Sequence, residues 1–303
     1  MSSLPSRVTL VDVGPRDGLQ NEKEPVSTEH KARLVAMLQD AGLKEIEVTS
    51  FVSPKWVPQM ADNTAVMAAI ERRPGVRYSV LTPNMKCLES ALPTRPDEIF
   101  VFAAASEAFS QENINCSIAE SIERFAPVVA AAHEAGIKVR GALSCAVGCP
   151  YQGEVSADEV ERVVQLMKSI GVDHMGIADT IGVGTPRKIQ AAMERALKHY
   201  PLVEVSGHFH DTYGQALTNI YACLELGVHT FDASVAGLGG CPYAKGATGN
   251  VATEDVVFML NGLGIETGIA IDKLVDAGAF ISGVLGRAPV SRVGRALLAK
   301  RQG

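Results

Sequence analysis

In the stretch SIGVDHMGIADTIGVGTP, residues 169–186, a helix-like run ends, a glycine follows, and a short apolar segment begins at once. Gly171 suits the left-handed position just past a helix end, where a side chain would be strained. Val172 to Asp179 reads as a strand that stops at the polar pair Asp179-Thr180. The turn formers after it lead to Thr185-Pro186, which opens the next helix, because proline is tolerated where an N–H would go unpaired anyway.

The same design recurs on both sides. DAGLKEIEVTS carries it at Gly42, PGVRYSVLT at Gly75, EAGIKVRGALS at Gly136 and ELGVHTFDASV at Gly227. RVTLVDV, DEIFVFAA and LVEVSGHFH complete eight strand candidates separated by helix-length segments. Ser27, three before His30 with Glu29 in the first turn, and Ser156, before Asp158 and Glu159, are helix-start signals. Strict strand–helix alternation implies parallel strands, and eight units predict a (β/α)8 TIM barrel. A doubly wound open sheet is the alternative, but VDVGPRDG does not fit the dinucleotide turn G-x-G-x-x-G. Ile271 to Lys300 reads as additional C-terminal helices. With no linker or low-complexity stretch, residues 1–303 are expected to form a single barrel domain, with 271–303 as a C-terminal helical extension.

Composition narrows the function. A hydrophobic content of 47% supports a large core, and a net charge of −6 with 20% charged residues gives no sign of a nucleic-acid binder. No apolar run approaches the roughly 20 residues that span a bilayer. The opening MSSLPSRVTLVDV lacks the apolar core of a signal peptide, and the six scattered cysteines form no disulfide framework. The cytoplasm is the expected location, with no membrane and no nucleic acid among the partners.

In barrels of this kind, chemistry gathers where strands end and βα loops begin. Those positions hold Arg16 and Asp17 after strand one, Glu47 on strand two, Ser144 and Cys145 after strand five, and Asp179 and Thr180 after strand six. GHFHDT ends strand seven. Side chains two apart on a strand share a face, so His208 and His210 point together, with Asp211 behind. After strand eight comes AGLGGCPYAKGATGN, with Cys241, Lys245 and Asn250 among five glycines, a composition suited to a mobile lid. Asp17, His208, His210 and the amide oxygen of Asn250 would supply two oxygens and two nitrogens around one point, a set suited to Mg²⁺ or Mn²⁺. Each residue has a plainer reading. The histidines could be hydrogen-bonded structural residues, Arg16–Asp17 a local ion pair, Glu47 a partner of Arg16, Asp179 a turn cap and Lys245 a solvated charge. Cys145 and Cys149, four apart, are a weak metal signal.

VDVGPRDGLQNEK, EVTSFVSPKWVPQMAD, LSCAVGCPYQG, ADTIGVGTP, GHFHDTYGQALTN and SVAGLGGCPYAKGATGNVATED together resemble the 3-hydroxy-3-methylglutaryl-CoA lyase (HMG-CoA lyase) family over nearly the whole chain. The Cys241 segment is the specific signature. The R-D-G and H-x-H elements are shared with acyl-transferring relatives. The resemblance implies a metal-dependent carbon–carbon lyase, releasing acetyl-CoA and acetoacetate from an acyl-CoA substrate in leucine degradation, and a homodimer. It implies metal ligands at Asp17, His208, His210 and Asn250, an active-site cysteine at Cys241, a substrate-binding and catalytic arginine at Arg16, and catalytic acidic residues at Glu47 and Asp179. Cys241 is expected to protonate the enolate, with His208 or Asp17 assisting at the hydroxyl. A lyase for longer 3-hydroxyglutaryl-CoA substrates, such as the isohexenyl compound, is the nearest rival. A catalytically silent metal-binding barrel would be expected to have lost one of Arg16, Asp17, His208, His210, Cys241 or Asn250, and none is missing.

Overall fold

The structure, a computed structural model, describes residues 4–240 and 249–302. Strand β1 (Thr9–Asp12) leads through a five-residue π-helical turn, Gly14–Gly18, into helix α1 (Thr28–Ala41). Then come β2 (Glu45–Ser50) and α2 (Asn63–Ala69), β3 (Arg77–Leu81) and α3 (Met85–Ala91), and β4 (Glu98–Ala104) with α4 (Glu107–Ile114) and α5 (Ile118–Glu134). β5 (Lys138–Ser144) precedes α6 (Ala157–Ser169), β6 (His174–Asp179) precedes α7 (Pro186–Leu197), and β7 (Val205–Phe209) precedes α8 (Ala216–Glu225). β8 (Thr230–Ala233) is followed by α9 (Thr253–Gly262), α10 (Ile271–Val284) and α11 (Arg292–Gln302). The strands close in sequence order, all parallel, and β1 meets β8 in the register Thr9↔Thr230 to Asp12↔Ala233. The (β/α)8 barrel expected from the alternation is therefore the fold, and the open sheet is not.

Local chemistry explains most element ends. Ser27 accepts a hydrogen bond from His30 N at 3.2 Å, and Ser156 forms a reciprocal capping box with Glu159. Gly42, Gly136, Gly171 and Gly227 all take positive φ just past their helices. Gly42 has the tightest surroundings: at φ +106° an added Cβ would lie 2.3 Å from Gly268 O. One detail differs from expectation. Gly75, at φ +76°, is a turn glycine rather than a helix cap, because α2 already ends at Ala69. Pro74 disfavours helical geometry at Arg73 and its ring would clash with the Ile70 carbonyl in a continued helix, and the backbone is already extended at Ile70. Thr185 stands at the N-cap of α7 without a side-chain cap bond, leaving Pro186 as the start signal.

Strand alternation divides the core. Ile46 and Val48 on β2 join Val80, Ile99, Val101, Val139 and Ile177 in one apolar layer under the helices, all 0–1% exposed. The residues between them face the barrel interior. Glu45 lines a cavity of about 170 Å³ at the strands' N-terminal ends, and Glu47 lines one of about 770 Å³ at their C-terminal ends. Helix α10 packs on α1, and α11 on α9 and α10. Among the described residues, Cys87, Cys116, Cys145, Cys149 and Cys223 are buried free thiols, and no helix is long and apolar enough to cross a membrane.

Candidate active site

The π-helical turn after β1 sets the first part of the site. Gly18 N reaches back to Val13 O at 3.1 Å, a five-residue span that widens the turn. Gly18 is required here, since a Cβ would sit 2.7 Å from both Leu238 Cβ and Ser234 Oγ. Asp12 anchors the turn from below, accepting Gly14 N at 2.9 Å and Thr253 Oγ1 at 2.7 Å.

Arg16 and Asp17 project from this turn into the larger cavity. Arg16 Nε donates to Glu47 Oε1 at 2.7 Å and Nη1 to Asp17 Oδ1 at 2.9 Å, so the expected Arg16–Glu47 pairing is present. Glu47 is fully buried and its other oxygen, Oε2, has no hydrogen-bond partner. Burial pushes its carboxyl up to about 7 despite the opposing pull of Arg16. Burial acts in the same direction on Asp17, but Arg16, then His208, and the Asn250 amide hold it down at about 2.

β7 supplies His208, and His210 follows one residue past the strand, where it forms an isolated bridge with Asn250. The imidazole centroids are 5.5 Å apart, and both rings line the cavity. Asp17, His208 and His210 each offer one ligand atom, and these atoms lie within 4.8 Å of one another, a set that could hold a metal ion. The donor chemistry fits a divalent cation. Asp17 is ionised, burial lowers His210 to about 4 and so keeps it neutral, and His210 Nδ1 is buried without a partner. Asn250 joins through its amide nitrogen, which donates to Asp17 Oδ2 at 2.8 Å and to Leu238 O at 3.3 Å.

The remaining expected residues fall in different places. Asp179 is buried with its carboxylate turned into its own loop, accepting Val183 N at 3.1 Å and Gly184 N at 2.8 Å. It is not among the cavity's lining residues, whereas Ser144 and Thr180 are. Burial raises its carboxyl to about 6 against those two amides. Asp211 is not among the cavity's lining residues; it accepts Ala216 N at the start of α8 and pairs with Arg292 of α11 at 3.1 Å. Cys145 and Cys149 pack with Ala104 and Phe109, and the cluster capable of holding a metal does not include them. Cys241 and Lys245 lie outside the described residues. Gly240, the last described residue before them, lines the cavity.

Three interior residues lay outside the sequence expectation. Asp232 on β8 stands 3.2 Å from His208 Nδ1 and pairs with Arg140 of β5, which also donates to Ser206 Oγ at 2.7 Å. For Arg140 and Asp232 the signal was a charged residue at an inward position within a strand, in KVRGALS and in HTFDASV, whereas Ser206 carries no such signal.

A family model described as HMGL-like matches residues 7–281. The 3-hydroxy-3-isohexenylglutaryl-CoA/hydroxy-methylglutaryl-CoA lyase of Pseudomonas aeruginosa is 56% identical over 298 residues, covering 98% of this chain and 99% of that protein. Among solved structures, a hydroxymethylglutaryl-CoA lyase from the same species aligns with a TM-score of 0.96 at 56% identity, covering 98% of this chain and 99% of that one. An HMG-CoA lyase from Acinetobacter baumannii, in complex with coenzyme A and 3-methylmalate, aligns at 0.92 with 33% identity, covering 98% and 97%. With a family model matching residues 7–281 and likeness of this degree over nearly the whole chain, the chain belongs to the HMGL-like family.

Proposed function

We propose that the protein is a hydroxymethylglutaryl-CoA lyase, cleaving 3-hydroxy-3-methylglutaryl-CoA into acetyl-CoA and acetoacetate with the aid of a divalent cation. The observation that carries this reading is the donor set of Asp17, His208 and His210 beside the Arg16–Glu47 pair, inside one cavity of about 770 Å³. Asp17, His208, His210 and the amide oxygen of Asn250 would hold the ion, the Asn250 nitrogen being committed to Asp17. A bound Mg²⁺ or Mn²⁺ would supply Lewis acidity at the substrate's 3-hydroxyl.

In the reaction the hydroxyl proton leaves for a base, the C2–C3 bond breaks, and its electron pair passes to the thioester as an enolate. The hydroxyl carbon becomes the ketone of acetoacetate, and protonation at C2 completes acetyl-CoA. Arg16, always cationic, meets the negative charge that develops on the thioester oxygen. Glu47 holds the guanidinium in place through Nε. His208 or Asp17 assists removal of the hydroxyl proton, and Cys241 delivers the proton to C2. Asp179 serves the site as a positioning residue, acting through the loop that carries Thr180. The chain works as one barrel domain with 271–303 as its helical extension, as a cytoplasmic homodimer in leucine degradation, without nucleic-acid or membrane partners.

The test is acetyl-CoA release from 3-hydroxy-3-methylglutaryl-CoA with Mg²⁺, with Mn²⁺ and after EDTA, run beside the isohexenyl substrate named for the Pseudomonas relative. Metal-dependent release of acetyl-CoA and acetoacetate is expected. Turnover confined to the isohexenyl compound would move the assignment to the longer substrate. Failure on both with folded, metal-supplied protein would defeat the reading.

A further inference from the structure

β7 and β8 pair in parallel with His208 directly beside Asp232. This register places Asp232 Oδ2 3.2 Å from His208 Nδ1. The other carboxylate oxygen, Oδ1, is taken by Arg140 Nη2, which also donates to Ser206 Oγ at 2.7 Å. All three are interior, Asp232 at 6% exposure, Arg140 at 1% and Ser206 at 0%. The guanidinium carbon of Arg140 also lies 5.0 Å from the centroid of the Phe100 ring, a cation–π contact. Asp232 therefore has little rotational freedom, and its Oδ2 can only accept.

An accepting carboxylate at Nδ1 requires the proton on that nitrogen, which leaves the lone pair on Nε2. The second histidine lacks such an anchor: His210 Nδ1 is buried with no partner. The two rings of the H-x-H pair thus differ at Nδ1, where His208 has a fixed acceptor and His210 has none.

We infer that Asp232, clamped by Arg140 and Ser206, is a positioning residue that fixes His208 as the Nδ1–H tautomer and aims its Nε2 lone pair at the cation. This rests on the metal-site reading given under Proposed function. Asp232 lines the same cavity but stands outside the donor cluster of Asp17, His208 and His210, and its effect on the cation passes through the ring of His208.

Two measurements on the full chain test it. In metal-free enzyme with ¹⁵N-labelled histidine, at alkaline pH, the His208 resonances should report protonation at Nδ1, with assignment by their loss in His208→Gln. Titration with Mn²⁺ alone should then show that Asp232→Asn raises the dissociation constant by roughly 10–100-fold, since the asparagine can donate to Nδ1 and drive the proton to Nε2. The same spectra should show His208 protonated at Nε2 in that variant. Wild-type His208 protonated at Nε2, or a folded Asp232→Asn protein binding Mn²⁺ like wild type, would overturn the inference. Should Asp232→Asn fail to fold, the wild-type tautomer decides alone. Wild-type protein that binds no Mn²⁺ would bring down the metal-site reading, and this inference with it.

Discussion

Asn250 Nδ2 donates to Asp17 Oδ2 at 2.8 Å, joining side chains 233 positions apart in the chain. One comes from the π turn after β1 and the other from the far end of the loop after β8. The contact depends on Gly239, at φ +101°, whose missing Cβ would lie 2.8 Å from that same Nδ2 and 3.3 Å from Gly18 Cα.

Gly239→Ala is therefore expected to displace Asn250 from Asp17. Mn²⁺ affinity should fall about tenfold, the size typical of a disturbed ligand support. Stability should fall by only about 1–2 kcal/mol, the strain of one left-handed alanine. Unchanged Mn²⁺ binding in a calorimetric titration would mean that Asn250 holds its place without the glycine.

Arg16 and Glu47 should separate in their effects. Arg16→Gln removes the cation facing the enolate oxygen and should lower kcat by about 10²–10³. Glu47→Gln keeps the cation and loosens only its anchor at Nε, so a loss of about tenfold is expected, as for the removal of a supporting partner. Steady-state acetyl-CoA release checks both, and a Glu47→Gln defect as large as that of Arg16→Gln would give the carboxylate a direct part in the chemistry.

Two helix-terminating glycines should respond unequally to the same substitution. Gly136, at φ +73°, has nothing within 4 Å of an added Cβ, so Gly136→Ala should cost about 1 kcal/mol of left-handed strain. Gly42→Ala carries that strain and also drives Cβ to 2.3 Å from Gly268 O, which forces backbone to move and should cost about 3 kcal/mol or more. Urea denaturation midpoints decide it, and equal losses would show that the α1–α10 seam yields freely.

Glu254 makes part of the stability depend on pH. It is fully buried and accepts Ala236 N through both oxygens, at 2.9 and 3.0 Å. Burial, reinforced by the nearby Asp12 and Asp255 and opposed by backbone amides, raises its carboxyl to about 8. The folded protein thus keeps a proton that the unfolded chain releases in the ordinary glutamate range. Stability from this group is lost as pH rises from about 5 to 8, by at most about 1.4 kcal/mol per pH unit. Glu254→Gln should flatten that slope relative to wild type in denaturation series across the window, and parallel slopes would refute the assignment.

Much of this molecule could be read from local pattern. Gly42, Gly136, Gly171 and Gly227 marked helix ends because a left-handed cap is a local demand, and alternation of strand and helix led to the closed barrel. Arg16, Asp17, Glu47, His208 and His210 were legible as strand-end polar residues, and all five line one cavity. Gly75 misled because Pro74, one residue earlier, had already ended the helical option.

Other relationships had no local signature. Asp179 and Asp211 look alike in sequence, as acidic residues after strands, yet one carboxylate binds its own loop and the other pairs with Arg292 of α11. The Asp232–His208 contact follows from parallel register between β7 and β8, and the Arg140–Asp232 pair from the closure that brings β5 across to β8. Residue type, cap and period act within a few positions of the chain, so the sequence by itself determined the elements, their order and the polar strand ends. Which oxygen meets which nitrogen depends on strands that closure brings together from distant parts of the chain, and only the tertiary structure decided that.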